Sequence, residues 1–253
     1  MRKNILLLIM LLCATITSAQ QHDNIWLFGY LSNPVDSTYG GTVLDFSSDT
    51  LNIYYEFRDM FLDVTNASIC DSFGNLLFYT NGLYIANAVH EIMENGEGLN
   101  PGDYADDQAG LGYILDQGAI VLPFPGSDSL FYLFHLSKDY PTGQISFHCP
   151  KFYYSLIDIS LNGGLGKVIE KNELIINDIL DLGKLTATKH ANGIDWWILL
   201  RKYGSSEFYS LRITPNEVLI SGIQDIGSPF LQGIGQSVFS PDGNKYVVSV
   251  VSG

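Results

Sequence analysis

The sequence predicts an all-β protein. Short runs rich in tyrosine, phenylalanine, isoleucine and valine follow one another, and each is bounded by glycine, asparagine, aspartate, serine or proline. This composition, with turn-forming residues at the ends of each run, is typical of β-strands joined by turns. None of the runs repeats its apolar residues with the period of a helix, and a hydrophobic fraction of 46% favours a packed core over a disordered chain.

A turn-and-strand unit occurs four times along the chain. Each copy has an apolar strand, a tight turn that contains glycine, and a second strand dense in aromatic and β-branched residues. The copies are CDSFGNLLFYT (70–80), LPFPGSDSLFYLF (122–134), KHANGIDWWILL (189–200) and FSPDGNKYVVSV (239–250), with turn glycines at Gly74, Gly126, Gly193 and Gly243. A repeat of roughly 50 to 70 residues with one hairpin per step predicts a β-propeller of four-stranded antiparallel blades, with about four blades present.

Further strands are predicted before, between and after these hairpins. They are NIWLFGY (24–30), TVLDF (42–46), TLNIYYEF (50–57), FYYSLIDI (152–159), SSEFYSLRI (205–213) and EVLISGI (217–223). Since no low-complexity linker interrupts the series, residues 20–253 are predicted to form one propeller domain. The last hairpin leaves no room for an outer strand before Gly253. Either the first strand completes this blade and closes a four-bladed ring, or the propeller is truncated at its carboxy end, which we favour.

The first nineteen residues have the pattern of a secretory signal peptide. Arg2 and Lys3 precede the apolar stretch ILLLIMLLCATIT (5–17), and small residues lead to a predicted cleavage site after Ala19. The alternative is a membrane anchor, but the apolar run is shorter than the roughly 18 to 20 residues that span a bilayer. No other run is long enough, so we expect no transmembrane segment after cleavage.

The net charge argues against one class of partner, and the cysteine content limits the disulfide bonds that the chain can form. Without Arg2 and Lys3 the formal charge changes from −14 to −16, and a chain this acidic would be repelled by a phosphate backbone, which argues against nucleic acid as a partner. Cys70 and Cys149 remain after cleavage. Export permits a disulfide between them, but two buried thiols are the interpretation we prefer.

The longest irregular stretch runs from Glu94 to Gly112, between the first and second repeated hairpins. Stretches of this length are often functional or mobile, and in a propeller this one would project from a face between blades. Asp103, Asp106 and Asp107 within it could offer oxygen ligands to calcium. Because the order of a calcium-binding loop is absent, we favour a solvated acidic loop without metal.

No catalytic or cofactor-binding set emerges from the motifs. Asp71 and Asp242 resemble a glycosidase pair, but both occupy hairpin turns, where aspartate accepts backbone hydrogen bonds. His190 precedes a turn and is predicted to hold it through a side-chain hydrogen bond rather than to act as a base. NGGLGK (162–167) lacks the spacing of a phosphate-binding loop. The sequence therefore predicts no catalytic residue, no cofactor and no metal.

Three pairs of neighbouring aromatic residues have the chemistry to stack on sugar rings, namely residues 54–55, 153–154 and 196–197. Because successive strand residues point to opposite faces, at least one member of each pair is expected in the core.

The ordered series NIWLFG, NASICDSFGNLLFYTNGLYIAN, QGAIVLPFPGSDSLFYLF, YYSLIDISLNGGLGKVIEKN, KHANGIDWWIL and SPDGNKY resembles a family of exported Bacteroidota β-propeller proteins. SPDGNKY alone resembles the repeat core of TolB-like and WD-type propellers. Members of the family often carry PKD modules or a sorting domain for type IX secretion, and no such domain follows Gly253. The resemblance covers nearly all of residues 20–253 and implies a secreted or surface-displayed binding scaffold.

Together these features predict a non-enzymatic binding or adhesion module, secreted or at the cell surface, with a protein or glycan ligand. A secreted carbohydrate-active enzyme is the first alternative, because several glycosidases are propellers that use paired carboxylates. A purely structural part of a larger surface protein is the second.

Overall fold

The computed structural model describes residues 21–30, 38, 40–227 and 233–249. These residues form five antiparallel sheets, and in each sheet the strands are paired in chain order. The all-β class predicted from the sequence is therefore confirmed. The signal peptide and its cleavage site after Ala19 lie outside the described residues.

Each sheet occupies its own stretch of the chain. Sheet 1 contains β1 (Ile25–Phe28), β2 (Thr42–Asp45) and β3 (Asn52–Tyr55), and sheet 2 contains β4 (Ala67–Cys70), β5 (Leu76–Thr80) and β6 (Ile85–Asn87). Sheet 3 contains β7 (Ala119–Pro123), β8 (Leu130–Leu136), β9 (Cys149–Asp158) and β10 (Lys167–Leu180). Sheet 4 contains β11 (Thr186–Lys189), β12 (Trp196–Arg201), β13 (Glu207–Ile213) and β14 (Val218–Asp225), and sheet 5 contains β15 (Ser237–Phe239) and β16 (Tyr246–Val248).

The four repeated hairpins are β4–β5, β7–β8, β11–β12 and β15–β16. Their turn glycines all have positive φ, at 87° for Gly74, 83° for Gly126, 73° for Gly193 and 70° for Gly243. Residues with a Cβ rarely adopt this conformation, which explains why glycine recurs at these positions. Each hairpin joins the first two strands of one sheet, so the repeat marks sheets 2 to 5.

Sheet 3 is buried on both faces, as β8 shows most clearly. Phe131 and Leu133 belong to a buried cluster shared with sheet 2, whereas Tyr132 and Phe134 belong to a second cluster shared with sheet 4. Successive strand residues point to opposite faces, so this alternation means that sheet 3 lies between its two neighbours.

Sheet 2 has the same two-sided packing. The Phe78 ring lies 5.8 Å from the Phe131 ring of sheet 3. Its neighbour Tyr79 faces the other way, into a buried cluster with Leu27 and Val43 of sheet 1. Sheet 2 is thus held between sheets 1 and 3 by side chains that alternate along a single strand.

Sheet 4 packs on sheet 3 through Ile198 and Leu211, which belong to the largest buried cluster. On its other face the Phe208 ring lies 5.9 Å from the Tyr246 ring of sheet 5. The five described sheets are therefore stacked face to face in the order in which they occur along the chain.

The two end sheets each have one open face. In sheet 1 the side chain of Leu27 is buried towards sheet 2, whereas Trp26 and Ile53, on the other face, are 46% and 64% exposed. In sheet 5 the cross-strand pair Val238 and Val247 is 59% and 61% exposed. Apolar sheet faces are thus uncovered at both ends of the stack.

Two details of the predicted architecture are corrected. The described sheets contain three, three, four, four and two strands instead of four each, and there are five sheets rather than about four. Sheet 1 was not counted because a longer connection, instead of a glycine hairpin, joins β1 to β2. β1 pairs with β2, so it does not complete the last sheet, and the described residues form no closed propeller.

The stretch from Glu94 to Gly112 does not project freely. It contains a short helix, α1 (Asp103–Asp107), and buries the side chains of Leu99 and Tyr104. Its first half runs beside β10, where the N–H of Val168 donates to the Glu94 carbonyl at 3.0 Å. The stretch therefore covers one end of the outer strand of sheet 3.

Candidate functional site

The first strands of the sheets lie on one side of the stack. β1 contacts β4, β4 contacts β7, and β11 contacts β15. The N–H of Leu185, just before β11, donates to the carbonyl of Gln117, just before β7, at 3.1 Å. β1, β4, β7 and β11, together with Gln236 just before β15, surround a cavity of about 440 Å³, which we call the first-strand cavity.

Side-chain amides hold the walls of this cavity together. Gln117 Nε2 donates to the Ser237 carbonyl at 3.0 Å, and the Ser237 N–H donates to Gln117 Oε1 at 2.7 Å. The pair ties sheet 3 to sheet 5 across 120 residues of sequence. On the opposite side Asn66 Nδ2 donates to the Leu27 carbonyl and Ser68 Oγ donates to the Ile25 carbonyl, which ties sheet 2 to sheet 1.

A buried ionic cluster supports the wall between sheets 3 and 4. Asp181 Oδ2 accepts hydrogen bonds from Arg201 Nη2 at 2.6 Å and from Lys184 Nζ at 3.1 Å. Burial lowers the pKa of Lys184, and the neighbouring Asp181 carboxylate opposes that change. The Lys184 carbonyl in turn accepts from Ser237 Oγ at 2.6 Å. The cluster fixes the chain immediately before β11, where it enters the cavity wall.

The lining groups that do not take part in these wall contacts include two carboxylates, which are hydrogen-bond acceptors. Asp23 and Asp116 both line it, and neither carboxylate takes part in a hydrogen bond or an ion pair within the part of the chain that the structure describes. Among the described residues, those that line the cavity include no lysine, arginine or histidine. Trp26 and Phe28 of β1 also line it and are 46% and 41% exposed.

The aspartates considered for calcium stand apart from this cavity. Asp103, Asp106 and Asp107 are exposed on α1, and Asp107 Oδ2 accepts a hydrogen bond from the Tyr140 hydroxyl at 2.8 Å. Among the residues that the structure describes, no group of three or more histidine, cysteine, aspartate or glutamate side chains is arranged to hold a metal ion.

The turn residues have local structural roles. Asp71 Oδ1 accepts from the N–H groups of Phe73 and Asn75 at 2.8 and 2.9 Å, and Asp242 Oδ1 accepts from the Asn244 N–H at 3.1 Å. Hydrogen bonds from the Ser240 hydroxyl and from Asn244 lower the pKa of Asp242. His190 Nδ1 accepts from the Asn192 N–H at 3.0 Å. Asp71 and Asp242 lie in different hairpins and do not line the first-strand cavity.

Cys70 and Cys149, the two cysteines among the described residues, are free thiols. Cys70 ends β4 and Cys149 begins β9, and both side chains are completely buried. Burial raises the pKa of Cys70 to about 11 and that of Cys149 to about 12. The structure therefore contains the two buried thiols and does not contain the disulfide.

Two of the three aromatic pairs divide between the faces of their strands. In the third pair Tyr54 is 44% exposed and Tyr55 is half-buried, so the expectation that one of them lies in the core is wrong. Trp196 packs against the largest cluster and its Nε1 donates to the Pro123 carbonyl at 3.0 Å, while the Trp197 ring lies 5.6 Å from His190. Tyr153 is buried against His135, whereas Tyr154 donates through its hydroxyl to Glu170 at 2.9 Å. None of the predicted aromatic pairs lines the first-strand cavity.

The sequence motifs do not point to the cavity residues, because each of these residues is isolated in the sequence. Asp23 precedes β1, and Asp116 and Gln117 precede β7. The available signal was positional: polar residues stand just before the first strand of a sheet. A propeller prediction places such strands around a common axis, so these residues could have been grouped on that basis.

Comparison with known proteins identifies no relative. No family model matches the chain, and neither a curated protein nor a solved structure matches it. Within the described residues, no helix has both the length and the apolar character needed to cross a membrane.

Proposed function

We propose that this chain is a non-enzymatic binding or adhesion module, secreted or displayed at a cell surface. The observation that carries the proposal is the first-strand cavity. Its walls are braced by Gln117, Asn66 and the Asp181 cluster, while Asp23 and Asp116 have no partner among the described residues. A rigid frame with unpaired polar groups is suited to holding a ligand.

We also propose that the stack is part of a β-propeller. Stacked meander sheets whose first strands surround one cavity have the arrangement expected of blades around a channel. The open apolar faces at Trp26 and Ile53 of sheet 1 and at Val238 of sheet 5 are surfaces on which further blades would pack. The resemblance to exported Bacteroidota propellers supports this architecture, and it suggests type IX secretion as the export route.

The ligand proposed for the module is a protein or a glycan. The formal charge of −14 disfavours nucleic acid, whose phosphates would be repelled. The cavity volume of about 440 Å³ is within the range of roughly 300 to 1,000 Å³ that small-molecule sites occupy, so it fits one or two sugar units or a few side chains of a partner.

The test is a binding and hydrolysis screen on the purified chain. Glycan arrays and peptide libraries are probed with the wild type, with Asp116→Asn in the first-strand cavity, and with Asp225→Asn, an exposed residue of β14 outside the cavity. We expect binding that Asp116→Asn weakens and Asp225→Asn leaves unchanged, without turnover of any polysaccharide. A chain that binds no probe would instead support the structural alternative.

One observation favours the carbohydrate-active enzyme as a second candidate. Asp23 and Asp116 line the same cavity, and glycosidases use two carboxylates about 5 to 10 Å apart. This function predicts polysaccharide hydrolysis that Asp23→Asn and Asp116→Asn each abolish. Hydrolysis that survives both substitutions would reject this pair as the catalytic carboxylates.

A further inference from the structure

We infer that Asn162 is a modification site, at which the side-chain amide is lost as ammonia and the residue becomes aspartate or isoaspartate. The inference is independent of the proposed binding function. Asn162 lies in the turn between β9 and β10 and is followed by Gly163, and both residues are exposed. Asparagine is among the chemically labile residues, above all before glycine, which has no side chain to shield its backbone nitrogen.

The reaction needs only the chain and water. The backbone nitrogen of Gly163 loses its proton and bonds to Cγ of Asn162, while the bond between Cγ and Nδ2 breaks and Nδ2 leaves as ammonia. The product is a five-membered cyclic imide. Water then opens the ring at one of its two carbonyl carbons. One opening gives aspartate, and the other gives isoaspartate, in which the main chain passes through Cβ.

The structure leaves both reacting groups of this turn free. Within the described residues, neither the Asn162 side chain nor the Gly163 N–H takes part in a hydrogen bond. The bonds that hold the turn use other groups, since the N–H groups of Gly164 and Gly166 donate to the Leu161 carbonyl at 3.0 and 3.1 Å. A Cβ built on Gly163 would meet no atom within 4 Å, so the ring has room to form.

Asn192 and Gly193 provide a matched comparison, because they also occupy an exposed turn, between β11 and β12. There Asn192 Oδ1 accepts hydrogen bonds from the N–H groups of Ile194 and Asp195, each at 3.0 Å. The Gly193 N–H donates to the His190 carbonyl at 2.9 Å. A Cβ on Gly193 would also meet open space, so the hydrogen bonds make the difference between the two turns. They hold the side-chain amide in place and keep the proton on the backbone nitrogen.

The other two asparagine–glycine pairs are held by hydrogen bonds as well. Asn81 is 2% exposed, and its Oδ1 accepts from the Leu83 N–H at 3.1 Å. Asn95 donates through Nδ2 to the Val168 carbonyl at 2.9 Å. Of the four asparagine–glycine pairs in the sequence, all within the described residues, the pair at Asn162 is the exposed one whose side-chain amide is unbonded.

Incubation of the folded chain in mildly alkaline buffer, followed by peptide mapping with mass spectrometry, tests the inference. We expect deamidation at Asn162 to be at least about tenfold faster than at Asn192, because three hydrogen bonds must break before Asn192 can react. A parallel incubation in urea removes the fold, and all four sites should then react at similar rates. A methyltransferase specific for isoaspartate labels that product.

Asn162→Gln removes the site, because glutamine would have to close a larger ring, and Asn192→Gln is the matched control. Circular dichroism checks that both variants fold. In the folded chain Asn162→Gln should lose nearly all the isoaspartate, whereas Asn192→Gln should keep the wild-type amount. Equal rates of deamidation at Asn162 and Asn192 in the folded wild type would overturn the inference. Deamidation of Asn162 that occurs in urea but not in the folded chain would overturn it too.

Discussion

The imidazole of His135 and the side-chain amide of Asn100 form a fully buried hydrogen bond, with 2.7 Å between Nδ1 and Oδ1. The bond joins β8 to the stretch between β6 and β7. His135 Nε2 lies 3.1 Å from Ser155 Oγ. Because Asn100 Nδ2 donates to the Gly82 carbonyl, its Oδ1 must accept, which assigns the proton of a neutral imidazole to Nδ1.

This arrangement predicts that stability falls in mild acid. Burial lowers the pKa of His135 to about 3, whereas an unfolded histidine titrates near about 6.5. Between these values the unfolded chain binds a proton that the folded chain excludes. The contribution of His135 to the free energy of unfolding is therefore complete above the pKa of the unfolded chain. As the pH falls below that pKa, this contribution is lost by up to about 1.4 kcal/mol per pH unit.

Urea denaturation at pH 7.5, 5.5 and 4.5 measures this effect. Other groups also titrate, so the comparison is between the wild type and His135→Gln, which should lose less stability on acidification. If the free energy of unfolding fell equally with pH in the wild type and in His135→Gln, His135 would not be the buried neutral histidine that we describe.

Removal of the Asp181 carboxylate should be strongly destabilising. Arg201 and Lys184 both donate to it, and all three side chains are almost completely buried. Asp181→Asn would leave two buried cations without their counter-ion, which costs about 3 to 5 kcal/mol. Guanidinium denaturation gives the value, and Asp225→Asn on the exposed edge should stay within about 0.5 kcal/mol of the wild type. A loss below about 1 kcal/mol for Asp181→Asn would mean that water solvates Arg201 and Lys184 in place of the carboxylate.

The cysteines should behave as unreactive thiols. Burial raises the pKa of Cys149 to about 12, so neither access nor ionisation favours alkylation in the folded state. We expect iodoacetamide to leave Cys70 and Cys149 unmodified in the native chain and to label both after denaturation without a reductant. Labelling that requires a reductant would instead reveal a disulfide.

The predictability of this fold depends on the range of the interactions. The hairpins at Gly74 and Gly126 are local, because a positive φ at one position selects glycine and leaves a visible signal. The sequence does not predict β10, because its register against β9 shifts four times, which removes the apolar and polar alternation of a regular strand. The first-strand cavity was hidden for a different reason: Asp23 and Asp116 are brought together only by the stacking of sheets, which no short window of sequence encodes.

Substitution by alanine at two glycines, Gly126 and Gly183, distinguishes the cost of backbone strain from the cost of a steric clash. Gly126 has a φ of 83° with open space around a hypothetical Cβ, so Gly126→Ala should cost only the strain of that conformation, about 1 to 2 kcal/mol. Gly183 has a φ of 58°, and a Cβ there would lie 1.8 Å from the carbonyl oxygen of Asp116. Gly183→Ala should therefore cost about 3 kcal/mol or more and displace the cavity wall. Equal losses in the free energy of unfolding for Gly126→Ala and Gly183→Ala, measured by denaturation, would contradict the close approach of Gly183 to Asp116.

The one-sided burial of sheet 1 predicts that substitution by threonine destabilises the protein on the buried face and has little effect on the open face. Val43 is completely buried towards sheet 2, and Val43→Thr would bury an unpaired hydroxyl at a cost of about 1 to 3 kcal/mol.

Ile53 is 64% exposed on the open face, so Ile53→Thr should change the free energy of unfolding by less than about 0.5 kcal/mol. It should also reduce the fluorescence of a dye that binds apolar surfaces, because the face beside Trp26 becomes less apolar. Comparable destabilisation by both substitutions would mean that the face containing Ile53 is covered in solution, and the apolar end of the stack would then be an occupied interface.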